Sequence, residues 1–186
     1  ETRENNLFLP GFNLSKNIYP TNSLNEAIGL NKIILLVIPT NFVRSISIQL
    51  VSLLNLNSLI INAGKGIEIK SLLTIRQILE ETLPKTCKLA SLSGPTFALE
   101  IAQGMPSAIV AASDTKKTAL LIQSIFSCDY LKVFISDDPI GVEIGGALKN
   151  IIAITTGISD GLKAGNNARA AIITRGLVEM IRIGTA

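Results

Sequence analysis

The sequence contains no histidine and no tryptophan, and its two cysteines, Cys87 and Cys128, lie far apart outside any CxxC pair. Zinc and similar metals are usually held by clustered thiolates and imidazoles, so no metal site of that kind is expected. Two isolated cysteines also give no disulfide framework. This favours a reducing compartment, and we expect a cytoplasmic protein.

Charge of one sign is not concentrated anywhere in the 186 residues. The 17 basic and 14 acidic residues leave a net charge of +3, the basic ones are scattered, and aromatic residues make up only 4%. Nucleic-acid surfaces usually show clustered basic charge or stacking aromatics, so no nucleic-acid partner is expected. The most apolar runs, such as residues 33–38, are far too short for a membrane span.

A Gly-rich cofactor turn is also missing, since no GxGxxG motif occurs. A dinucleotide-binding fold normally opens with a strand, such a turn and a helix whose N-terminus holds the pyrophosphate. Residues 64–66, Gly-Lys-Gly, are too few and have the wrong following pattern. Either the protein has another fold, or its first βαβ unit, about 30 residues or more, is not in this sequence.

What is present is an alternation of short apolar runs and helical patterns, which is typical of a parallel sheet covered by helices. Strands are predicted at 32–38, 58–62, 88–93, 107–112 and 131–136, and helices at 41–54, 71–83, about two turns before Gly104, and 116–126. Thr40 is the predicted N-cap of the first helix.

After Asp137 the strand signal stops, and two helices are predicted at 139–158 and 167–183. We therefore place a domain boundary near Ser136, with one unit at 1–136 and a helical unit at 137–186.

Asn62-Ala63-Gly64-Lys65-Gly66 follows a predicted strand, where ligands of open α/β sheets bind. Two glycines allow a close backbone approach, and Lys65 supplies a cation between them. The alternative is a solvated turn whose lysine has no function.

Ser93-Gly94-Pro95-Thr96-Phe97-Ala98 also follows a strand. Pro95 suits the first position of a helix, and the free N–H groups there would suit an anionic group of a substrate. The alternative is an ordinary junction between a strand and a helix.

Gly145-Gly146-Ala147-Leu148-Lys149-Asn150 lies within the long apolar helix. Each mid-helix glycine costs about 1 kcal/mol relative to alanine, which indicates close packing or the close approach of another molecule. Lys149 lies on the same face, one turn further on. Apolar neighbours would largely desolvate it and make it a better proton donor. A lysine that extends to water is the alternative.

The turn after this helix contains Asp160, and Arg169 lies in the next helix. These two side chains are predicted to pair across the turn and set the angle between the helices, which is a structural role.

Taken together, five segments resemble the NAD(P)-dependent glycerol-3-phosphate dehydrogenase family. In chain order they are FLPGF, VIPTNF, NAGKGIE, SGPTFALEIAQGMPSAI and GVEIGGALKNIIAITTGISDGLKAGNNARAAIITRGLVEM. The resemblance covers nearly the whole chain, and its last two segments are long and specific, whereas NAGKG alone would be weak.

The resemblance implies a Rossmann-like parallel sheet that lacks its first βαβ unit, followed by the start of an all-helical C-terminal domain. It also implies interconversion of dihydroxyacetone phosphate and sn-glycerol 3-phosphate by hydride transfer with NAD or NADP, which feeds glycerophospholipid synthesis.

Roles for individual residues follow from the same resemblance. Lys149 would be the general acid/base, and Lys65 would contact both substrate and cofactor. Gly94 and Thr96 would contact the phosphorylated substrate, and Ala98 and Pro39 would lie at the cofactor.

The sequence departs from the family at both ends. The cofactor turn is absent before Glu1, and a later substrate-binding Asp and an Arg-Asn pair are not reached by Ala186. We therefore expect the 186 residues alone to be inactive. Two alternatives stay open: a non-catalytic remnant, and a related two-domain dehydrogenase for a hydroxy acid or sugar phosphate. The choice between NAD and NADP and the formation of a homodimer are also open.

Overall fold

The computed structural model describes residues 3–185 and contains seven strands and seven helices there. The strands are β1 (Glu4–Asn5), β2 (Leu9–Asn13), β3 (Ile33–Leu36), β4 (Leu59–Asn62), β5 (Lys88–Ser93), β6 (Ser107–Ala112) and β7 (Leu131–Ser136). The helices are α1 (Leu24–Ile28), α2 (Thr40–Leu50), α3 (Ile75–Thr82), α4 (Ala98–Ala102), α5 (Lys116–Phe126), α6 (Pro139–Gly161) and α7 (Asn166–Gly184).

The main sheet has five strands in the order β3-β4-β5-β6-β7 and is mixed rather than parallel. The prediction of a parallel sheet is wrong at one pair, because β6 runs antiparallel to β5. The α4 helix between them has five residues, or about 8 Å, and cannot return along a strand of about 20 Å. The 11-residue α5 can do so, and β7 is accordingly parallel to β6.

The hydrophobic core has one part on each face of this sheet. Strand β4 contributes to both: Ile60 packs on the side of α2 and α3, and Leu59 and Ile61 pack on the side of α5. All four residues of β4 are buried. Burial on both faces explains why the run is continuously apolar and does not alternate with polar residues.

Helix α6 begins at a capped turn and leads away from the sheet. Pro139 occupies its first turn, and the Asp138 carboxylate accepts a hydrogen bond from the Gly141 N–H at 2.8 Å. The first turns lie against β5 and α3, and the rest packs along α7. The predicted pair across the following turn is confirmed, since Arg169 Nε donates to Asp160 Oδ1 at 2.8 Å.

Two local predictions were wrong. Thr40 is the first residue of α2 and not its cap, which is Pro39. Helix α4 begins only at Ala98, so Pro95 lies in the extended segment before it and not in its first turn.

The N-terminal elements were not predicted. β1 and β2 form a small antiparallel hairpin, and β2 lies against α4. Helix α1 follows Ser23, whose hydroxyl accepts a hydrogen bond from the Glu26 N–H at 3.3 Å. Ser-x-x-Glu is a recognised helix start, so α1 could have been found in the sequence.

Candidate active site

The loops after β3, β4 and β5 lie at one edge of the sheet, because these three strands are parallel and end together. Pro39 follows β3, Lys65 follows β4, and Gly94 follows β5. This edge, formed by the carboxyl ends of the strands, is where open α/β sheets bind ligands. We call it the carboxyl edge.

Helix α6 crosses the carboxyl edge so closely that it requires Gly146. A Cβ atom added at Gly146 would lie 2.5 Å from Ser93 Oγ and 3.8 Å from Lys65 Cγ. Gly146 is buried, and Lys149 is one turn further along the same helix. The predicted close packing at this glycine is therefore confirmed, and it brings α6 onto the loop that carries Lys65.

The two lysines interact electrostatically. Burial lowers the pKa of Lys65 from its ordinary value, and the neighbouring Lys149 ammonium lowers it further. Both side chains are half-buried. Lys149 is therefore less desolvated than we expected from its apolar neighbours in the sequence. Within residues 3–185, neither lysine forms an ion pair with a carboxylate. The pair is thus suited to a doubly charged anion such as a phosphate ester.

The loop that carries Lys65 is held on both sides. Thr40 Oγ1 donates to the Lys65 carbonyl oxygen at 3.3 Å, and the Gly64 N–H donates to Asn62 Oδ1 at 2.9 Å. Gly66 has a φ of 144°, and a Cβ added there would collide with the Thr40 hydroxyl. The turn therefore needs glycine at position 66 for both its backbone angle and its space.

A buried carboxylate beneath the lysines was missed in the sequence. Glu143 on α6 is only 6% exposed. Its Oε1 accepts hydrogen bonds from Asn62 Nδ2 at 2.6 Å and Ser91 Oγ at 2.7 Å, and its Oε2 accepts one from the Arg76 backbone N–H at 2.8 Å. The available signal was an acidic residue three positions before Gly146, placed between Val142 and Ile144 in the helix.

Gly94 is constrained by the sheet itself. A Cβ there would lie 2.7 Å from the Ala108 carbonyl oxygen and 2.9 Å from Ile109 Cα, so β6 leaves no room for a side chain. Thr96 lies in the segment that leads into α4, Ala98 is the first residue of α4, and both side chains are exposed. Pro39 is also exposed, at the start of α2.

Residues 3–185 offer neither a cluster of metal ligands nor a membrane-spanning helix. That part of the chain has no group of three or more His, Cys, Asp or Glu side chains placed to hold a metal ion. Over the same residues, no helix combines the length and apolar character needed to cross a membrane.

Family comparisons agree with the geometry of the carboxyl edge. The model of the NAD-dependent glycerol-3-phosphate dehydrogenase N-terminus matches residues 1–119, and the model of the C-terminus of the same enzymes matches residues 138–186. The chain belongs to the NAD-dependent glycerol-3-phosphate dehydrogenase family. The resemblance inferred from the sequence segments is thereby confirmed.

Individual relatives give the same result. The glycerol-3-phosphate dehydrogenase (NAD(P)+) of Geobacter metallireducens is 48% identical over 187 residues, which cover 100% of this chain and 56% of that protein. This member of the glycerol-3-phosphate dehydrogenase family therefore spans little more than half the length of the curated relatives it matches.

Solved structures of the family have the same fold. Glycerol-3-phosphate dehydrogenase from Coxiella burnetii superposes with a TM-score of 0.91 at 33% identity, covering 99% of this chain and 56% of that one. The Plasmodium falciparum enzyme superposes with a TM-score of 0.89 at 27% identity, covering 99% and 52%. The fold is thus α/β, with a mostly parallel five-stranded sheet followed by C-terminal helices.

Proposed function

We propose that the protein containing this chain interconverts dihydroxyacetone phosphate and sn-glycerol 3-phosphate with NAD or NADP. The observation that carries the proposal is the pair of half-buried lysines, Lys65 and Lys149, at the carboxyl edge of a family member. Neither lysine has a carboxylate partner within residues 3–185. A phosphate ester carries up to two negative charges, and two neighbouring ammonium groups complement it without further neutralisation.

Lys149 is assigned the general acid/base role. Reduction of a ketone leaves negative charge on its oxygen, and a nearby ammonium group both stabilises that charge and supplies the proton. In the reverse direction the neutral amine accepts the proton of the alcohol. Gly146 lets α6 approach the carboxyl edge closely enough to present this lysine.

Lys65 is assigned to both substrate and cofactor. Its pKa is lowered by burial and by Lys149, so the arrival of an anion would relieve the repulsion between the two ammonium groups. Gly94 and Thr96, at the end of β5 and in the segment after it, are assigned to the substrate.

The carboxyl edge also fits a nicotinamide cofactor. Pro39, Lys65 and Ala98 follow three consecutive strands at this edge, and the glycines at 64 and 66 add no side chains beside Lys65. Ala98 and Pro39 are small and exposed, which leaves room for a planar ring. The bound cofactor would supply the hydride, and the residues named here would orient it.

We further propose that residues 1–136 belong to a Rossmann-like dinucleotide-binding domain, and that residues 137–186 belong to a helical substrate domain. The support is that β7 ends at Ser136 and that only α6 and α7 follow. The proposal extends to a cytoplasmic enzyme, with a homodimer as the association to test.

The test is an assay of the intact protein with dihydroxyacetone phosphate and NADH or NADPH. We expect oxidation of the reduced cofactor that depends on this ketone. Turnover of hydroxy acids or sugar phosphates in its place would overturn the proposal, and so would a natural protein that lacks any turnover. Mass analysis of the natural protein belongs to the same experiment, because it defines the length that is assayed.

A further inference from the structure

We propose that Glu143 is a positioning residue that holds Lys65 and Lys149 in register with each other through its hydrogen bonds to Asn62, Ser91 and the Arg76 amide. The kinetic part of this inference rests on the function proposed above. Glu143 itself is buried beneath the carboxyl edge and is not assigned any contact with substrate.

The first step concerns Lys149. Glu143 lies on α6 six residues before Lys149, and its carboxylate accepts hydrogen bonds from β4, β5 and the start of α3 at 2.6–2.8 Å. Three charge-assisted bonds to three different elements fix both the rotation and the height of the helix on the sheet. The helix in turn fixes the position of the Lys149 backbone.

The second step concerns Lys65. The Asn62 amide donates from Nδ2 to Glu143 and accepts at Oδ1 from the Gly64 N–H at 2.9 Å. Glu143 therefore decides which way this amide faces, and the amide holds the residue next to Lys65. If Asn62 turned over, its NH₂ group would face the Gly64 N–H, and the loop would lose this bond.

The three donors make a carboxylate necessary at position 143. A glutamine has the same shape but offers one oxygen and one NH₂ group. Its NH₂ group must face either the Arg76 N–H or the Asn62 Nδ2, and either choice sets two donors against each other in a buried place. Asn62 can relieve the second conflict only by turning over, which breaks the bond to Gly64.

The kinetic experiment uses the intact protein and a double-mutant cycle of Glu143→Gln and Lys65→Met. We expect Glu143→Gln to lower kcat/KM for dihydroxyacetone phosphate on the order of 100-fold, the cost of a misplacement of about 1 Å. In the Lys65→Met background, Glu143→Gln should lower kcat/KM by a much smaller factor, because the loop after β4 no longer presents a cation. Equal factors in the two backgrounds would overturn the inference.

A rescue variant tests the hydrogen-bond chain directly. In Asn62→Asp combined with Glu143→Gln, the glutamine NH₂ group at position 143 can donate to the aspartate carboxylate at position 62. The other oxygen of that carboxylate accepts from the Gly64 N–H, and the glutamine oxygen accepts from the Arg76 N–H. We expect this exchange to recover most of the lost kcat/KM. A double variant as slow as Glu143→Gln alone would count against the proposed chain.

Ser47→Ala is the matched control for loss of a buried polar contact. Ser47 is fully buried and accepts a hydrogen bond from Thr82 Oγ1 at 2.8 Å between α2 and α3, away from both lysines. It should lower the melting temperature and leave kcat/KM unchanged. A loss of kcat/KM in Ser47→Ala as large as in Glu143→Gln would show a general effect of destabilisation and overturn the inference.

Hydrogen exchange of the intact protein separates this inference from the proposed function. Glu143→Gln should speed exchange at residues 62–66, and Ser47→Ala should not. This readout needs no substrate, so it tests Glu143 even if the wild-type protein turns over none and the proposed function fails. Unchanged exchange at 62–66 in Glu143→Gln would remove the positioning role.

Discussion

Helix α6 lies in two different environments, although most of its residues are apolar or small along its whole length. In its first turns Glu143 is 6% exposed and Gly146 is buried against Ser93. In its later turns three large apolar side chains are more than half exposed, at 58% for Ile151, 64% for Ile154 and 59% for Ile158.

The comparison shows that apolar character alone does not say where a helix is buried. The buried turns are marked by residues that are unusual in a helix core, namely a carboxylate and a small residue that permits close contact. Contiguous exposed apolar surface of the kind seen on the later turns commonly marks a contact with another segment or molecule. The two halves should therefore respond differently to substitution.

The largest expected effect is at Lys149, which ends the buried turns. Lys149→Met keeps the length and the apolar stem of the side chain but removes the proton donor, so turnover of the intact protein should fall by about 10²–10⁴. Lys65→Met should differ and mainly raise the substrate KM, because it removes an electrostatic contact. Steady-state kinetics and melting temperature measure both, and wild-type turnover in Lys149→Met would rule out the assigned role.

The next effect is on stability at the carboxyl edge. In Gly94→Ala the added Cβ would lie 2.7 Å from the backbone oxygen of Ala108, and backbone cannot move aside as a side chain can. We expect a loss of about 1–3 kcal/mol in the free energy of unfolding, measured by denaturant titration. An unchanged midpoint would mean that β6 does not pack against Gly94 in solution.

A substitution that stabilises the fold is expected in the later turns of α6. Nothing lies within 4 Å of a Cβ added at Gly157. Alanine is favoured over glycine in a helix by about 1 kcal/mol, so Gly157→Ala should raise the melting temperature of the 186-residue chain. If the same substitution destabilises the longer protein, a further segment packs against this turn.

The smallest effect concerns Glu68, a half-buried carboxylate that contrasts with the buried Glu143. Hydrogen bonds from the Arg44 guanidinium and the Ser71 hydroxyl lower the pKa of Glu68 from its ordinary value of 4.5 to about 2. A carboxylate with a depressed pKa stabilises the fold at pH values above its ordinary pKa. That contribution is lost as the pH falls towards 2. The difference in melting temperature between wild type and Glu68→Gln should therefore shrink from pH 6 to pH 3. A difference that stays constant would contradict the assigned interaction.

Most of the secondary structure could be predicted from the sequence. The predicted strands at 88–93, 107–112 and 131–136 and the helix at 116–126 have the bounds that the structure shows, because local patterns of apolar residues determine them. The direction of β6 could not be predicted in this way. It depends on how far the chain travels between two strands, and the length of α4 was overestimated at about two turns.

The candidate site could be predicted only in part. Lys65, Gly94 and Lys149 were identified because their segments resemble a family, and two of the three have packing reasons that the sequence does not show. Gly94 is enclosed by β6, and Lys149 is presented by a helix that touches Ser93 through Gly146. The roles assigned to these three residues and to Thr96, Ala98 and Pro39 all stay predictions.

By itself, the sequence determined the family, the order of the elements and the two lysines, because these depend on residue identity and on short-range periodicity. Only the tertiary structure decided that Lys65 and Lys149 lie near each other, that the sheet is mixed, and that Glu143 joins α6 to the rest of the site. Glu143 and Asn62 are 81 positions apart in the chain, yet they meet at 2.6 Å. The physical reason is that a buried carboxylate needs hydrogen-bond donors, and these can come from residues far away in the sequence. A local sequence pattern does not show which distant residues the fold brings together.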